Sequence, residues 1–393
     1  MKRGRSNWLH WTAALAAGAW LSGCQTVVTV DPTQAYVDAK VTLERAAEDP
    51  EAVTRVHAME AIAQVLGQEY GGLLKQGLRD PHPLVRFAAA MAVGEVTYAP
   101  ALPRLLEMAA RYTGDNDRRV YCGVLYALYR LGNTDHLSDL ADLLRDGQPM
   151  VRAVAAQVMG RIGNASAISL LRSVLRDEQK EMVKYNMIEA IALLGDAAYQ
   201  EKLEAYATSF YLDLQLEAIP AMAREYSPHT MEVLQDLLGE RYPPRARVKA
   251  AGVMARLGQV TAHTYALCTV AARTPDRFVD QQSFGDQVAA GMELASLQQL
   301  AAISLGWTQR REAVNTLYPL LQSPEGAVRV AAAMSILRLS AVGEMRRGDL
   351  ADARPAAPAP SPRTPEGAAA PGPGEGTPVP APPPRLRTAG AKD

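Results

Sequence analysis

The stretch Asp146-Gly147-Gln148-Pro149-Met150-Val151-Arg152-Ala153-Val154-Ala155-Ala156-Gln157-Val158-Met159-Gly160-Arg161-Ile162-Gly163 recurs in degenerate form along most of this chain of 393 residues. It reads as a turn, a proline at a helix start, a helix with small residues on one face, and a glycine stop. Aligned on the residue equivalent to Val151, the copies are anchored at Arg55, Val85, Val120, Val151, Val183, Leu214, Ala246, Leu294 and Val328. They close at Gly67, Thr97, Gly132, Gly163, Gly195, Tyr226, Gly258, Gly306 and Ser340. The spacings are 30, 35, 31, 32, 31, 32, 48 and 34, a period near 32 with one outlier. A unit of that size cannot bury its apolar face alone and must do so against its neighbours. The chain is therefore committed to a stacked array.

Each period predicts two helices. The second starts near the anchor. Pro83 and Pro149 stand two before it, where a missing N–H is harmless, and Asp117 is placed to cap the third copy. Small residues recur on its inner face, among them Ala89, Ala92, Gly94, Ala155, Gly160, Ala251 and Ala255, and they let helices approach closely. The first helix carries leucines at helical spacing, such as Leu102, Leu105 and Leu106, then Leu137, Leu140, Leu143 and Leu144, which face the core.

Asp80-Pro81-His82-Pro83-Leu84-Val85-Arg86-Phe87-Ala88-Ala89 and Ser323-Pro324-Glu325-Gly326-Ala327-Val328-Arg329-Val330-Ala331-Ala332 resemble HEAT repeats, of the short kind also found in phycobilisome lyases. The resemblance covers about residues 36–342. It implies an all-α fold, an α-solenoid of about nine helical hairpins wound into a right-handed superhelix. Stacked openly at 8–10 Å per layer, nine layers would run roughly 70–90 Å. In that family a turn aspartate and a second-helix arginine form a ladder between successive repeats. The matching acids here are Asp80, Asp115 and Asp146, and the matching bases are Arg86, Arg152, Lys184, Arg247 and Arg329. Gln215 and Ala295 depart from the pattern at the basic position of copies six and eight. These charges are expected to be structural.

The outlier spacing before Leu294 holds about half a repeat extra. Its middle, from Arg273 to Asp286, is polar and rich in turn formers, yet carries two of the four phenylalanines. Insertions in solenoids map to loops that often bind partners. Arg277, Phe278, Asp280 and Phe284 are the candidate partner-binding residues, the alternative being that the phenylalanines tuck onto the neighbouring layer.

The amino terminus has a basic start, Lys2, Arg3 and Arg5, and then an apolar run from Trp8 to Leu21, short for a transmembrane helix. That is the pattern of an export signal. Leu21, Ser22, Gly23 and Cys24 resemble the bacterial lipobox, in which the cysteine becomes the acylated first residue. Residues 1–23 are then a signal peptide, 24–35 a membrane-proximal spacer and 36–345 the solenoid. Gln25 after the cysteine favours, by that resemblance, the outer membrane facing the periplasm. Residues 346–393, with 12 prolines and almost no large apolar side chain, are expected to be a disordered tail.

The net charge is −1, and removal of Lys2, Arg3 and Arg5 takes it to −4. Nucleic acid is not the expected partner, because phosphate contacts need a basic surface. His57, His82, His136, His229 and His263 are scattered over different copies, and Cys122 and Cys268 fall in separate helices, so neither metal nor cofactor binding nor a disulfide is expected. No nucleophile elbow, phosphate loop or dinucleotide fingerprint occurs. The expected function is a non-catalytic, membrane-anchored scaffold or adaptor for protein partners in the bacterial envelope. The alternatives are an accessory subunit of an envelope enzyme or secretion assembly, or a lyase-like or ligand-carrying HEAT protein.

Overall fold

In the computed structural model of the chain, residues 30–111, 117–224, 228–279 and 286–341 are described. Pro83, Pro149 and Pro244 each occupy the first turn of a second helix, whereas Asp117 precedes its helix without a capping side-chain bond. The helices pair as α1 (Pro32–Ala46) with α2 (Ala52–Val65), α3 (Gly71–Gly77) with α4 (Pro83–Val96), and α5 (Leu102–Arg111) with α6 (Arg118–Arg130). The series continues with α7 (Asp139–Leu143) and α8 (Pro149–Ile162), α9 (Ile168–Asp177) and α10 (Glu181–Leu193), and α11 (Ala197–Ala207) and α12 (Leu212–Ala221). It ends with α13 (Pro228–Asp236) and α14 (Pro244–Arg256), α15 (Ala262–Arg273) and α16 (Gln287–Gly306), and α17 (Val314–Leu317) and α18 (Gly326–Ala341). The described residues contain no strand, and the fold is an all-α solenoid.

The small residues set the spacing between the second helices. A Cβ on Gly160 of α8 would lie 2.8 Å from the Cα of Ala190 in α10, so only glycine allows this approach. Each even-numbered helix packs on the next, from α2 through to α18.

The series does not end at α18. That helix packs against both α1 and α2, so the second helices form a closed inner ring and the last hairpin takes the place of the one before the first. The Val30 N–H donates to Asn315 Oδ1 at 3.1 Å, and the Tyr318 hydroxyl donates to Asp38 at 2.7 Å. Gly326 lies directly on Thr54, leaving no room for a Cβ. The open length of roughly 70–90 Å is therefore not reached, because the small rotation between hairpins accumulates until the ends meet.

Backbone conformation corrects the repeat register in copy eight. The helices of copies one to five and seven close on a left-handed residue: Gly67, Thr97, Gly132, Gly163, Gly195 and Gly258. In copy eight that residue is Gln309, with φ of 56°, not Gly306. The equivalent of Val151 is then Leu297, three residues beyond the anchor read from the sequence, and it is fully buried. In copy one the helix runs one residue longer to its left-handed Gly67: Arg55 holds the role of Arg152 (below) and Thr54, fully buried, that of Val151. The insertion before copy eight goes partly into helix. α16 has 20 residues and begins ten before Leu297, whereas α8 begins two before Val151. Its first two turns project about 12 Å farther than its neighbours, at 1.5 Å per residue. The helix is long and apolar enough to cross a membrane by length and composition. Here it packs between α14 and α18 as part of the ring.

Candidate partner-binding surface

The turns that join first to second helices lie on one rim, and in part of the ring an arginine stitches one turn to the next. Arg152 Nη1 donates to the carbonyls of Asp146 and Gly147 in its own turn, at 2.8 and 3.3 Å. Its Nε and Nη2 fork onto Glu178 of the following turn at 2.7 and 2.9 Å. Arg55 does the same between its own Asp49 and Pro50 carbonyls and the Asp80 carboxylate. Each acid also accepts from its own turn: Asp80 from the His82 N–H, Asp146 from Gln148, Glu178 from Lys180. Arg329 closes the ring, donating to the Ser323 and Pro324 carbonyls and, at 3.0 Å, to Asp49 of the first turn.

These contacts set the charge states. The Arg152 guanidinium holds the Glu178 pKa down to about 2 against the effect of burial, with help from the Lys180 and Gln179 N–H groups. Burial works to raise Asp80, but Arg55 and the His82 N–H prevail and hold it below the usual range.

Several expected rungs are placed differently. Arg86 donates to the Asp80 and Pro81 carbonyls of its own turn, and Asp115 ahead of it lies outside the described residues. Tyr121 stands at the basic position of copy three, and Arg118 pairs with Asp146 in its stead. Lys184 reaches back to Glu181 on its own helix at 3.4 Å, and Arg247 donates to the Leu238 carbonyl. The reason lies one turn ahead. The positions equivalent to Asp146 in copies six to nine are Ser209, Arg241, Met292 and Ser323, and none is acidic. Arg55, Asp49 and Glu178 were missed as ladder members. Their six-residue spacing from acid to base, Asp49 to Arg55 and Glu178 to Lys184, was the available signal.

Beside the ladder this rim exposes apolar side chains. Val53, Leu84, Met150 and Met182 occupy the same position near the start of α2, α4, α8 and α10, two before the basic position, and are 52, 41, 55 and 36 % exposed. Phe210 and Tyr211, in the turn before α12, are 106 and 71 % exposed. Val288 and Met292 extend the set onto the projecting turns of α16, at 68 and 66 %. Apolar residues at this density on one edge are unusual for a surface with nothing to cover it. Of the insertion residues, Arg277 is exposed, Phe278 is half-buried against the core and Val279 is buried. Asp280, Phe284, the Leu21-Ser22-Gly23-Cys24 segment and the tail lie outside the described residues.

The described residues contain no group of three or more His, Cys, Asp or Glu side chains arranged to hold a metal ion. A surface recess between α1 and α3, of about 520 Å³, is lined by Glu44, Arg45, Glu48, Glu69, Tyr70, Gly72 and Leu73, with no nucleophile. Burial pushes the Cys122 and Cys268 thiols up to about 12, which suppresses the thiolate that reacts. Neither should be alkylated by iodoacetamide at pH 8 in the folded protein, and both should react in denaturant, as read by peptide mass spectrometry.

The fold defined by these contacts is a closed ring of helical hairpins. The HEAT-repeat family profile matches residues 39–119 and 109–192, so these residues carry HEAT repeats. They are the half of the ring in which the ladder runs. Among solved structures, the chain is similar to the complex of CpcE and CpcF of phycocyanin lyase from Nostoc sp., at 17% identity and a TM-score of 0.37, over 68% of this chain and 95% of that one. It is also similar to human deoxyhypusine hydroxylase in complex with glycerol, at 15% identity and a TM-score of 0.33, over 79% of this chain and 99% of that one. Likeness of this grade carries no argument about activity. No curated protein matches the chain in sequence.

Proposed function

We propose that this protein is a non-catalytic scaffold, anchored to the bacterial envelope by acyl chains on Cys24, that docks protein partners on the turn rim of its ring. The observation that carries the reading is the set Val53, Leu84, Met150, Met182, Phe210, Tyr211, Val288 and Met292, exposed on that one rim. Methionine and aromatic side chains are the types enriched at protein interfaces. The ladder holds the turns that carry Val53, Leu84, Met150 and Met182 in place, so a partner would meet a preorganised surface there. The first helices run opposite to the second, so α1 starts at the other rim. Cys24 stands eight residues before Pro32, a reach of at most about 28 Å. Acyl chains there would tether the ring to the bilayer from the rim at which α1 starts.

The test is a photo-crosslinking residue placed in intact cells at Phe210 or Met150, with Glu201 on α11 as the control. Protein adducts should form at the two rim positions and not at the control, and Cys24→Ser should move the protein from the membrane to the soluble fraction. Equal adduct yields at all three positions would sink the docking reading. A Cys24→Ser protein that still sediments with membranes would sink the anchor.

A further inference from the structure

The corrected register brings a cluster into view on the inner side of the ring. Ten residues beyond the anchor, copies seven, eight and nine place Arg256, Trp307 and Arg338 at one equivalent position. The Arg338 guanidinium stands 3.9 Å from the Trp307 ring centroid, and that of Arg256 5.2 Å. The same position in copies one, two and four holds Gln64, Glu95 and Arg161. Arg338 Nη2 donates to Gln64 at 3.0 Å, and Arg161 reaches Glu95, two hairpins away, at 3.4 Å. Side chains at this position therefore converge across the ring rather than pointing outward.

Arg161 and Arg338 differ in how their charge is answered. Arg161 has Glu95. Arg338 has no carboxylate within ion-pair distance among the described residues, and its Nη1 is cut off from solvent with no hydrogen-bond acceptor. Burial, and then the like charge of Arg256, push its pKa down to about 10. A guanidinium has five donors in a planar fork and no means of satisfying them itself. An enclosed, unanswered donor of this kind, next to a second cation and an aromatic face, matches the requirements of an oxyanion.

We propose that Arg338, Arg256 and Trp307 form a binding site for a phosphate or carboxylate group on the inner side of the ring. Arg338 Nη1 supplies the open donor, Arg256 adds positive charge, and Trp307 holds the guanidinium planes in place. The group could belong to a free oxyanion or to a lipid headgroup, since the chemistry recognised is the same.

Trp307 is the only tryptophan after residue 20, so its fluorescence reports on the site. The mature chain, from Cys24 onward, in which Trp307 is the one tryptophan, would be titrated at constant ionic strength with sodium phosphate, sodium acetate and sodium chloride. It would also be titrated with phosphatidylcholine vesicles, with and without phosphatidylglycerol. A saturable emission change with phosphate or acetate but not chloride supports the site with a free oxyanion as ligand. A change seen only with phosphatidylglycerol vesicles supports it with a lipid headgroup as source. Trp307→Phe should abolish the signal, and Arg338→Gln should weaken apparent affinity at least tenfold, with Arg338→Lys intermediate. Helical content and melting temperature show that the variants are folded. No saturable response to any of these ligands, or an unchanged affinity in folded Arg338→Gln, overturns the proposal.

Discussion

A chain ending at residue 313, which lacks α17 and α18, is expected to lose its cooperative unfolding transition and to aggregate. In an open solenoid the last repeat covers one neighbour, and its loss costs one interface. Here α18 is covered by α16 on one side and by α1 and α2 on the other, so its removal uncovers both ends at once. The helix buries Val328, Val330, Met334, Ile336, Leu337 and Leu339, each below 7 % exposed. At roughly 1.5–3 kcal/mol per side chain that is on the order of 10 kcal/mol, comparable with the net stability of about 5–15 kcal/mol of an ordinary domain. Gly326→Leu strikes the same seam in the intact chain by placing a side chain where Thr54 stands. It should lower the melting temperature by about 5 °C or more. Thermal melts followed by circular dichroism, with size-exclusion chromatography of the truncated chain, read both effects. If the truncated protein stays monomeric and melts cooperatively within a few degrees of the full chain, closure contributes little.

The period of about 32 residues made the hairpins legible, because proline at a helix start and small residues at close contacts answer to local geometry. Closure was not legible in the period, since a repeat records contact with its neighbours and not the accumulated rotation. One signal was available. Residues 326–341 are apolar nearly all round, whereas the terminal helix of an open solenoid needs a polar outer face. The register of copy eight was misread because Gly306 looks like a helix stop. It is glycine because Ser335 leaves no space for a Cβ, and the left-handed stop falls at Gln309. That slip hid the equivalence of Trp307 with Arg256 and Arg338. The rim was half legible. Leu84 and Met150 were read as parts of a helix start, and their exposure emerges only once the ladder aligns the turns on one edge. Phe278 shows the limit of reading insertions by composition. It packs half-buried against the core, and part of the extra length became two turns of α16.

The ladder divides the ring into a tied half and an untied half, and substitution should expose the difference. Arg152→Ala should lower stability by about 3–5 kcal/mol, the cost of breaking an enclosed ion pair and leaving one charge behind. Glu178 keeps a side chain only 3 % exposed, and the Asp146 and Gly147 carbonyls lose their shared donor. Lys184→Ala removes a contact on one helix surface, with Glu181 half-exposed at 51 %, and should cost at most about 0.5 kcal/mol. The pH dependence separates the charge term from packing. Glu178 has its folded pKa lowered to about 2 from 4.5, so the stability it contributes is fully present above pH 4.5 and is lost as pH falls through 2. Through that window the parent protein should approach the Arg152→Ala variant, whose Glu178 no longer has a cation to hold its proton off. What remains at pH 2 is the loss of the carbonyl hydrogen bonds. Urea unfolding midpoints at pH 7, 4.5, 3 and 2 measure this directly. Equal costs for the two substitutions at pH 7, or a difference that does not shrink from pH 4.5 to 2, would mean that the arginine acts through packing alone.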